Sequence, residues 1–372
     1  MRVTIEQTNL LKSLGHVHRV VERRNTIPIL SNVLLKAEGS ELHLKATDLD
    51  LEIFEKTPAV VEQAGSTTVP AYMLYEIIRK LPGGSEVQLS IDTDASTLKI
   101  SSGRSQFTLQ ILPVEDFPDI SAGEFSHSFS MATDQIRGLI EHTQFAISTE
   151  ETRYYLNGIF LHTVDEDGEA LIRAVATDGH RLARSQGVAP DGSTGMPGII
   201  IPRKAVGEIQ RLVEDPDAAV HIELSDVKIR ISVGETILTS KLIDGTFPDY
   251  NRVIPQGNDK ELKIDREIFA KAVDRVSTIS SERGRAVKLQ LSENQMVLSV
   301  NNPDSGTAEE EIAVGYASDD LEIGFNSRYL LDITNQLSGE EAIFMLSDPG
   351  SPTLIKDSND KDAIYVLMPM RV

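Results

Sequence analysis

Neither cysteine nor tryptophan occurs among the 372 residues. Without cysteine there is no disulfide framework, no thiolate metal site and no cysteine nucleophile, and the chain fits a reducing compartment. No run approaches the roughly 18 apolar residues of a membrane helix. Met1-Arg2-Val3-Thr4-Ile5 reads as an opening strand rather than a signal peptide. A cytoplasmic protein without membrane contact is expected. Catalytic signatures are missing as well: there is no Gly-x-x-x-x-Gly-Lys-Ser/Thr phosphate loop, no His-Glu-x-x-His and no Gly-x-Ser-x-Gly elbow. His16 and His18 lie two apart on a predicted helix and diverge, which suits no single metal. No cofactor and no metal are expected. Basic residues are in the minority, 36 against 57 acidic, and the net charge of −21 argues at first sight against nucleic acid as a partner.

What is present is repetition. Ala46-Thr47-Asp48 returns as Ala176-Thr177-Asp178, and Phe117-Pro118-Asp119 as Phe247-Pro248-Asp249, each pair 130 residues apart. The segment that starts at Val69 matches one starting at Ile201 and, more weakly, one starting at Phe325. Three copies of a unit near 125 residues fill the chain, and a repeat of that length is a whole domain. Each copy reads as a short strand, an amphipathic helix, several strands, a second helix and more strands. The helices are expected near 9–24, 70–81, 134–148, 202–214, 265–280 and 326–337. Leu10, Leu11, Leu14, Val17, Val20 and Val21 share one face of the first. Connectors are expected at 113–125 and at 248–259, the latter rich in Pro, Gly and Asn.

Across those six helices there are 14 basic residues and 10 acidic ones, so the rest of the chain carries the entire acid excess. Helical and non-helical surfaces therefore differ in sign. Two stretches stand out. In Ala176–Leu182, Asp178-Gly179 is a hairpin-turn signal, and His180, Arg181 and Leu182 follow at its edge. The last residues, Tyr365-Val366-Leu367-Met368-Pro369-Met370-Arg371-Val372, are apolar where a terminus is usually polar, so they must dock as a strand or line a site.

Arg153-Tyr154-Tyr155-Leu156-Asn157-Gly158, Ala176–Leu182, Thr246-Phe247-Pro248-Asp249-Tyr250 and the closing Val366-Leu367-Met368-Pro369-Met370-Arg371 together resemble the bacterial DNA polymerase III β subunits, the sliding clamps. The resemblance spans the chain. It implies an α+β fold of three repeated DNA-clamp domains, at 1–122, 123–252 and 253–372, each with two helices on antiparallel sheets. It further implies a head-to-tail homodimer closing into a ring of six domains, helices inside. Width arithmetic agrees: with helices about 10 Å wide, six in a circle leave a hole of about 9 Å and twelve leave about 28 Å, against a duplex about 20 Å across.

The resemblance also implies partners and sites. The partners are double-stranded DNA without sequence preference, a second copy of the chain, the replicative DNA polymerase, the clamp loader and other proteins carrying short clamp-binding motifs. Their motifs would enter a pocket formed by Leu156, Thr177, Gly179, His180, Arg181, Leu182, Pro248 and Arg252 of the second domain. Val253, Asn326, Tyr329, Val366, Leu367, Met368, Pro369, Met370 and Arg371 complete it from the third. DNA contact falls to Arg24, Arg153, Tyr154 and Tyr155, with Arg203 and Lys204 among the helix-borne bases. Adjacent tyrosines on a strand would face opposite ways, leaving one exposed. Glu150 lies close by, where relatives often carry a neutral residue, so this contact is expected to be weaker. At the dimer interface Phe107 and Leu109 would meet Thr278 and Ile279. No catalysis is expected. The competing reading is a carboxylate-dependent nucleic-acid enzyme using Asp48 and Asp178. A structural turn should recur across repeats, whereas a single active site need not.

Overall fold

The computed structural model describes residues 1–372 apart from 24, 93, 94, 121, 122, 215–217, 282 and 283. Arg24 lies outside the described residues. Two compact units are present.

The first unit comprises 1–134, 191–196 and 207–242. Its five-stranded sheet runs in the order Val60–Gln63, Arg2–Glu6, Glu86–Asp92, Thr97–Ser102, Ser105–Gln110, which leaves Ser105–Gln110 as an edge. Its eight-stranded sheet joins two repeats. The strands His127–Ala132, Ala219–Leu224, Lys228–Val233 and Thr236–Lys241 pair onto those of the first repeat where Ile237 faces Phe54. The alternating strands bury Leu42, Leu44 and Ala46 on one face, as period-two patterning requires.

The second unit comprises 135–190, 197–206 and 243–372. It has a nine-stranded and a four-stranded sheet. In the larger, Ile199–Pro202, Gly158–Glu166, Glu169–Thr177 and Arg181–Val188 are followed by Ala363–Leu367, Thr353–Asp357 and strands of the third repeat. The apolar terminus is thus an interior strand, with Leu182 facing Val366 on one side and Leu354 facing it on the other. The four-stranded sheet has Gly306–Ala313 as an edge. All pairings among the described strands are antiparallel.

The six helices are α1 (Gln7–Val17), α2 (Ala71–Lys80), α3 (Thr133–Glu141), α4 (Arg203–Leu212), α5 (Arg266–Ser277) and α6 (Ser327–Thr334). Two are shorter than their apolar periodicity suggests. After α1 the His18 ring bonds back to the Leu14 carbonyl at 2.6 Å and stacks on Tyr75, and Val20 and Val21 are buried from non-helical turns. After α3 the Thr143 hydroxyl donates to the Leu139 carbonyl at 2.6 Å, and a short 3-10 turn, Gln144–Ala146, carries the chain on. In both, a side chain takes the carbonyl four residues back and the helix stops while the apolar face continues. The rear of α5 ends likewise earlier than read, at Ser277, with Thr278 as its C-cap.

Candidate functional site

The turn at 176–182 is held by its own side chains. The Thr177 hydroxyl donates to the Arg181 carbonyl at 2.7 Å and accepts from the Gly179 amide at 3.1 Å. One Asp178 oxygen accepts from the amides of His180 and Arg181, and the other from Arg181 Nε. Gly179 has φ +90°, the region that favours glycine. The first repeat builds the same turn. Thr47 donates to the Leu51 carbonyl and accepts from the Leu49 amide, while Asp48 Oδ1 accepts from the amides of Asp50 and Leu51. There Leu49 occupies the left-handed position, at φ +80°. Asp48 and Asp178 therefore perform one structural task twice, each with its Oδ1 accepting from two backbone amides of the turn.

Arg181 is a brace. It is 9% exposed, with Nη1 at 2.5 Å from Asp332 and Nη2 at 2.8 Å from the Phe145 carbonyl, and its guanidinium lies 4.3 Å from the centre of the Tyr329 ring. It fixes the turn against α6, whose start is set by the Asn326 side chain accepting from the amides of Arg328 and Tyr329. His180, exposed, stacks on Tyr329. The tail completes the rim. The Met368 amide donates to the His180 carbonyl at 2.9 Å and the Met370 amide to the Gly324 carbonyl at 2.8 Å. A side chain at Gly324 would come within 2.7 Å of the Met370 carbonyl, so glycine is what lets the tail cross there.

On the sheet face below lies an apolar floor: Leu156, Val175, Leu182, Ile200, Phe247, Tyr250, Ile254, Leu354, Ile364 and Val366, with Tyr155 and Phe160 packed against it. Phe160 stacks on Phe247 at 4.9 Å and on His162 at 4.4 Å. His162 Nε2 hydrogen-bonds the Tyr250 hydroxyl at 3.1 Å, while its Nδ1 is buried without a partner. Burial first and Arg173 second press its pKa down to about 4. The unfolded ring titrates near 6.5, so between pH 6.5 and about 4 the unfolded chain binds a proton that the folded one refuses. This contribution to stability is complete above pH 6.5 and drains away as pH falls towards 4, by about 3 kcal/mol at most. His162→Gln is expected to flatten the decline of the urea midpoint over that window. An unaltered decline would contradict this assignment.

The expected pocket residues divide by position. Leu156, Thr177, Leu182 and Val366 are buried at the floor, and Gly179, His180, Pro248, Arg252, Val253, Met368 and Arg371 are exposed at the rim. Asn326, Tyr329, Pro369 and Met370 are half-buried. Leu367 departs from the expectation. It is fully buried and shares the face of Arg181, its register partner, opposite to Val366, because neighbouring strand residues alternate. Phe247, Tyr250 and Ile254 belong to the same buried apolar cluster, and apolar residues at a Pro-containing connector were the signal for them.

The tyrosine pair is not on a strand, as the sequence reading assumed. It lies in the 3-10 segment Glu151–Leu156, where Arg153 has non-helical φ −111°, ψ 50°. Tyr154 is still 54% exposed, and Tyr155 packs against the floor. Arg153 donates through Nε and Nη2 to the Glu150 carboxylate, at 2.8 and 2.6 Å. The contact holds the Glu150 pKa down and raises that of Arg153. A Cβ on Gly179 would lie 2.5 Å from Arg153 Nη1, so the arginine packs directly on the pocket turn. Arg203 is exposed at the start of α4 and Lys204 half-buried beside it. Phe107, on the edge strand Ser105–Gln110, is 38% exposed, whereas Leu109 at 8% belongs to its own core. Thr278 is exposed and Ile279 half-buried. Among the described residues no helix is long and apolar enough to cross a membrane.

Known proteins share this architecture. Models of the N-terminal, central and C-terminal domains of the DNA polymerase III beta subunit match residues 1–121, 130–249 and 251–371. The beta sliding clamp of Caulobacter vibrioides is 53% identical over the full length of both chains, and that of Escherichia coli K12 is 39% identical, again over 100% of each. A crystal structure of the Bartonella birtlesii sliding clamp, bound to griselimycin, superposes with a TM-score of 0.98 at 58% identity, covering 100% of each chain. Three clamp domains in tandem, matched from end to end, establish that this chain belongs to the DNA polymerase III beta subunit family, the beta sliding clamps.

Proposed function

We propose that two copies of this chain, with domains bounded at 1–122, 123–252 and 253–372, close head to tail into a ring around duplex DNA. The ring tethers the replicative polymerase, and other proteins with short clamp-binding segments, through the site beside α6. It acts in the cytoplasm and performs no catalysis itself. The observation that carries the reading is the sign of the helices on a clamp fold. Within their observed bounds they hold 11 basic residues against 7 acidic, in a chain of net charge −21. Basic side chains on helices that line a hole attract phosphates without reading bases, which permits sliding. The unpaired edges Ser105–Gln110 and Gly306–Ala313 support closure between copies.

Arg153 and Tyr154, with Arg203 and Lys204, are the residues we assign to DNA contact. Because Glu150 engages the Arg153 guanidinium, Glu150→Gln is expected to tighten binding to short linear duplex. An exposed ion pair of this kind contributes little, so the gain should be only a few-fold. The slope of log K against log salt should steepen by about one. Unchanged affinity and slope would remove Arg153 from the contact. In the same buffer with Mg²⁺, nicked plasmid is expected to remain intact. Progressive degradation that tracks the pure protein and disappears in Asp178→Asn would restore the enzyme reading.

A further inference from the structure

Arg184 is half-buried and takes no part in the turn or its braces. It lies on the strand Arg181–Val188, two residues beyond Leu182 and on the same face. Its register partners are Val175 and Ile364, both members of the apolar floor. Its Nε is buried with no partner, and among the described residues the guanidinium makes no hydrogen bond and no ion pair. The neighbouring cation, Arg173, is satisfied by the Gln186 side chain at 2.7 Å and by Glu166. Burial, then Arg173, lower the pKa of Arg184, and Tyr250, Glu166 and Asp362 attract it only from a distance. A half-buried guanidinium is costly unless something pairs with it. Here it borders an apolar surface suited to anchoring side chains.

We propose that Arg184 is a carboxylate subsite at the end of the pocket. A partner segment that seats an apolar side chain on the Leu182–Val366 floor would place an acidic side chain against this guanidinium. Leu182 and Arg184 are about 7 Å apart along the strand, the span of two residues of an extended peptide. The acid therefore belongs two positions from the anchor. Pairing with a planar, partly desolvated guanidinium selects a carboxylate over an amide of the same shape. The inference rests on the pocket reading above.

The test uses the full-length protein and synthetic peptides of the polymerase's clamp-binding segment. Asp or Asn is placed in turn two residues to either side of each apolar anchor, and affinity is read by fluorescence anisotropy. In the unaltered protein one position is expected to favour Asp over Asn about tenfold, or about 1.4 kcal/mol. Arg184→Gln should abolish that preference, so that the Asp and Asn peptides bind alike. Arg184→Lys should retain part of it. Arg184→Met removes a buried, unpaired cation and should raise the melting temperature, which separates loss of the subsite from loss of the fold. If the Asn peptides bind and no position prefers Asp, or if the preference survives in Arg184→Gln, the subsite is wrong and the pocket stands. If no peptide binds the unaltered protein, the pocket reading falls and takes the subsite with it.

Discussion

A chain truncated before Met368 is expected to fold and to lose its peptide ligands. The strand Ala363–Leu367 is paired on both sides, to Arg181–Val188 and to Thr353–Asp357, and none of those ladders needs the last five residues. What the truncation removes is the rim. The Met368 and Met370 amides leave the His180 and Gly324 carbonyls, and the 36% exposed Met368 side chain disappears from above the floor. Methionine adapts its shape at little cost, which suits a pocket shared by several segments. Affinity for a clamp-binding peptide should fall at least a hundredfold, about 2.7 kcal/mol, with the melting temperature almost unchanged. Undiminished affinity would place the ligand elsewhere.

Placing Asp at both Phe107 and Ile279 is expected to give folded monomers. Phe107 projects from an unpaired edge strand, and Ile279 sits just past the α5 C-cap. Both are at least partly exposed in the single chain, so a carboxylate there is tolerated before assembly. In a closed interface the same carboxylates would be buried without partners, and removing an apolar anchor alone often costs 2 kcal/mol or more. Dimer affinity should drop by roughly a thousandfold or more, about 4 kcal/mol for the pair. Leu109 is deliberately left alone: at 8% exposure an Asp there would damage the first unit itself. A dimer peak that persists on gel filtration, with light scattering to confirm the mass, would mean that closure uses another surface.

The sequence made the repeats, the six helices and the docked terminus legible because each has a local cause. Periodicity marks the helices, Pro70 and Pro202 precede two of them, and Asp-Gly marks one turn. Helix ends were misjudged where the apolar face outlasts the helix. Val20 and Val21 are buried from turns, and only the His18 and Thr143 side-chain bonds show why α1 and α3 stop. The tyrosine pair was misassigned to a strand, yet the exposure of Tyr154 came out as expected, since Tyr155 is the one drawn to the floor. The site was legible as a set of motifs, not as an arrangement. That Arg181 braces the turn depends on Asp332, 151 residues away. That Leu367 lies on the sheet face opposite Leu182 and Val366 depends on register with Arg181. Nothing local to Arg153 reveals that it packs on Gly179, and so joins the proposed DNA contact to the pocket turn.

Encirclement of DNA is a topological property, and a change of DNA topology tests it. The protein is loaded on nicked circular DNA by its clamp loader, the salt is raised until binding to short linear duplex is lost, and the circle is then cut once. Contacts to phosphates weaken steeply with salt, whereas linkage between two closed rings does not. Retention on the circle at high salt is expected, followed by rapid loss through the new ends after cutting. Equal loss from circular and cut DNA at high salt would contradict it, and would describe a protein that binds the duplex from one side.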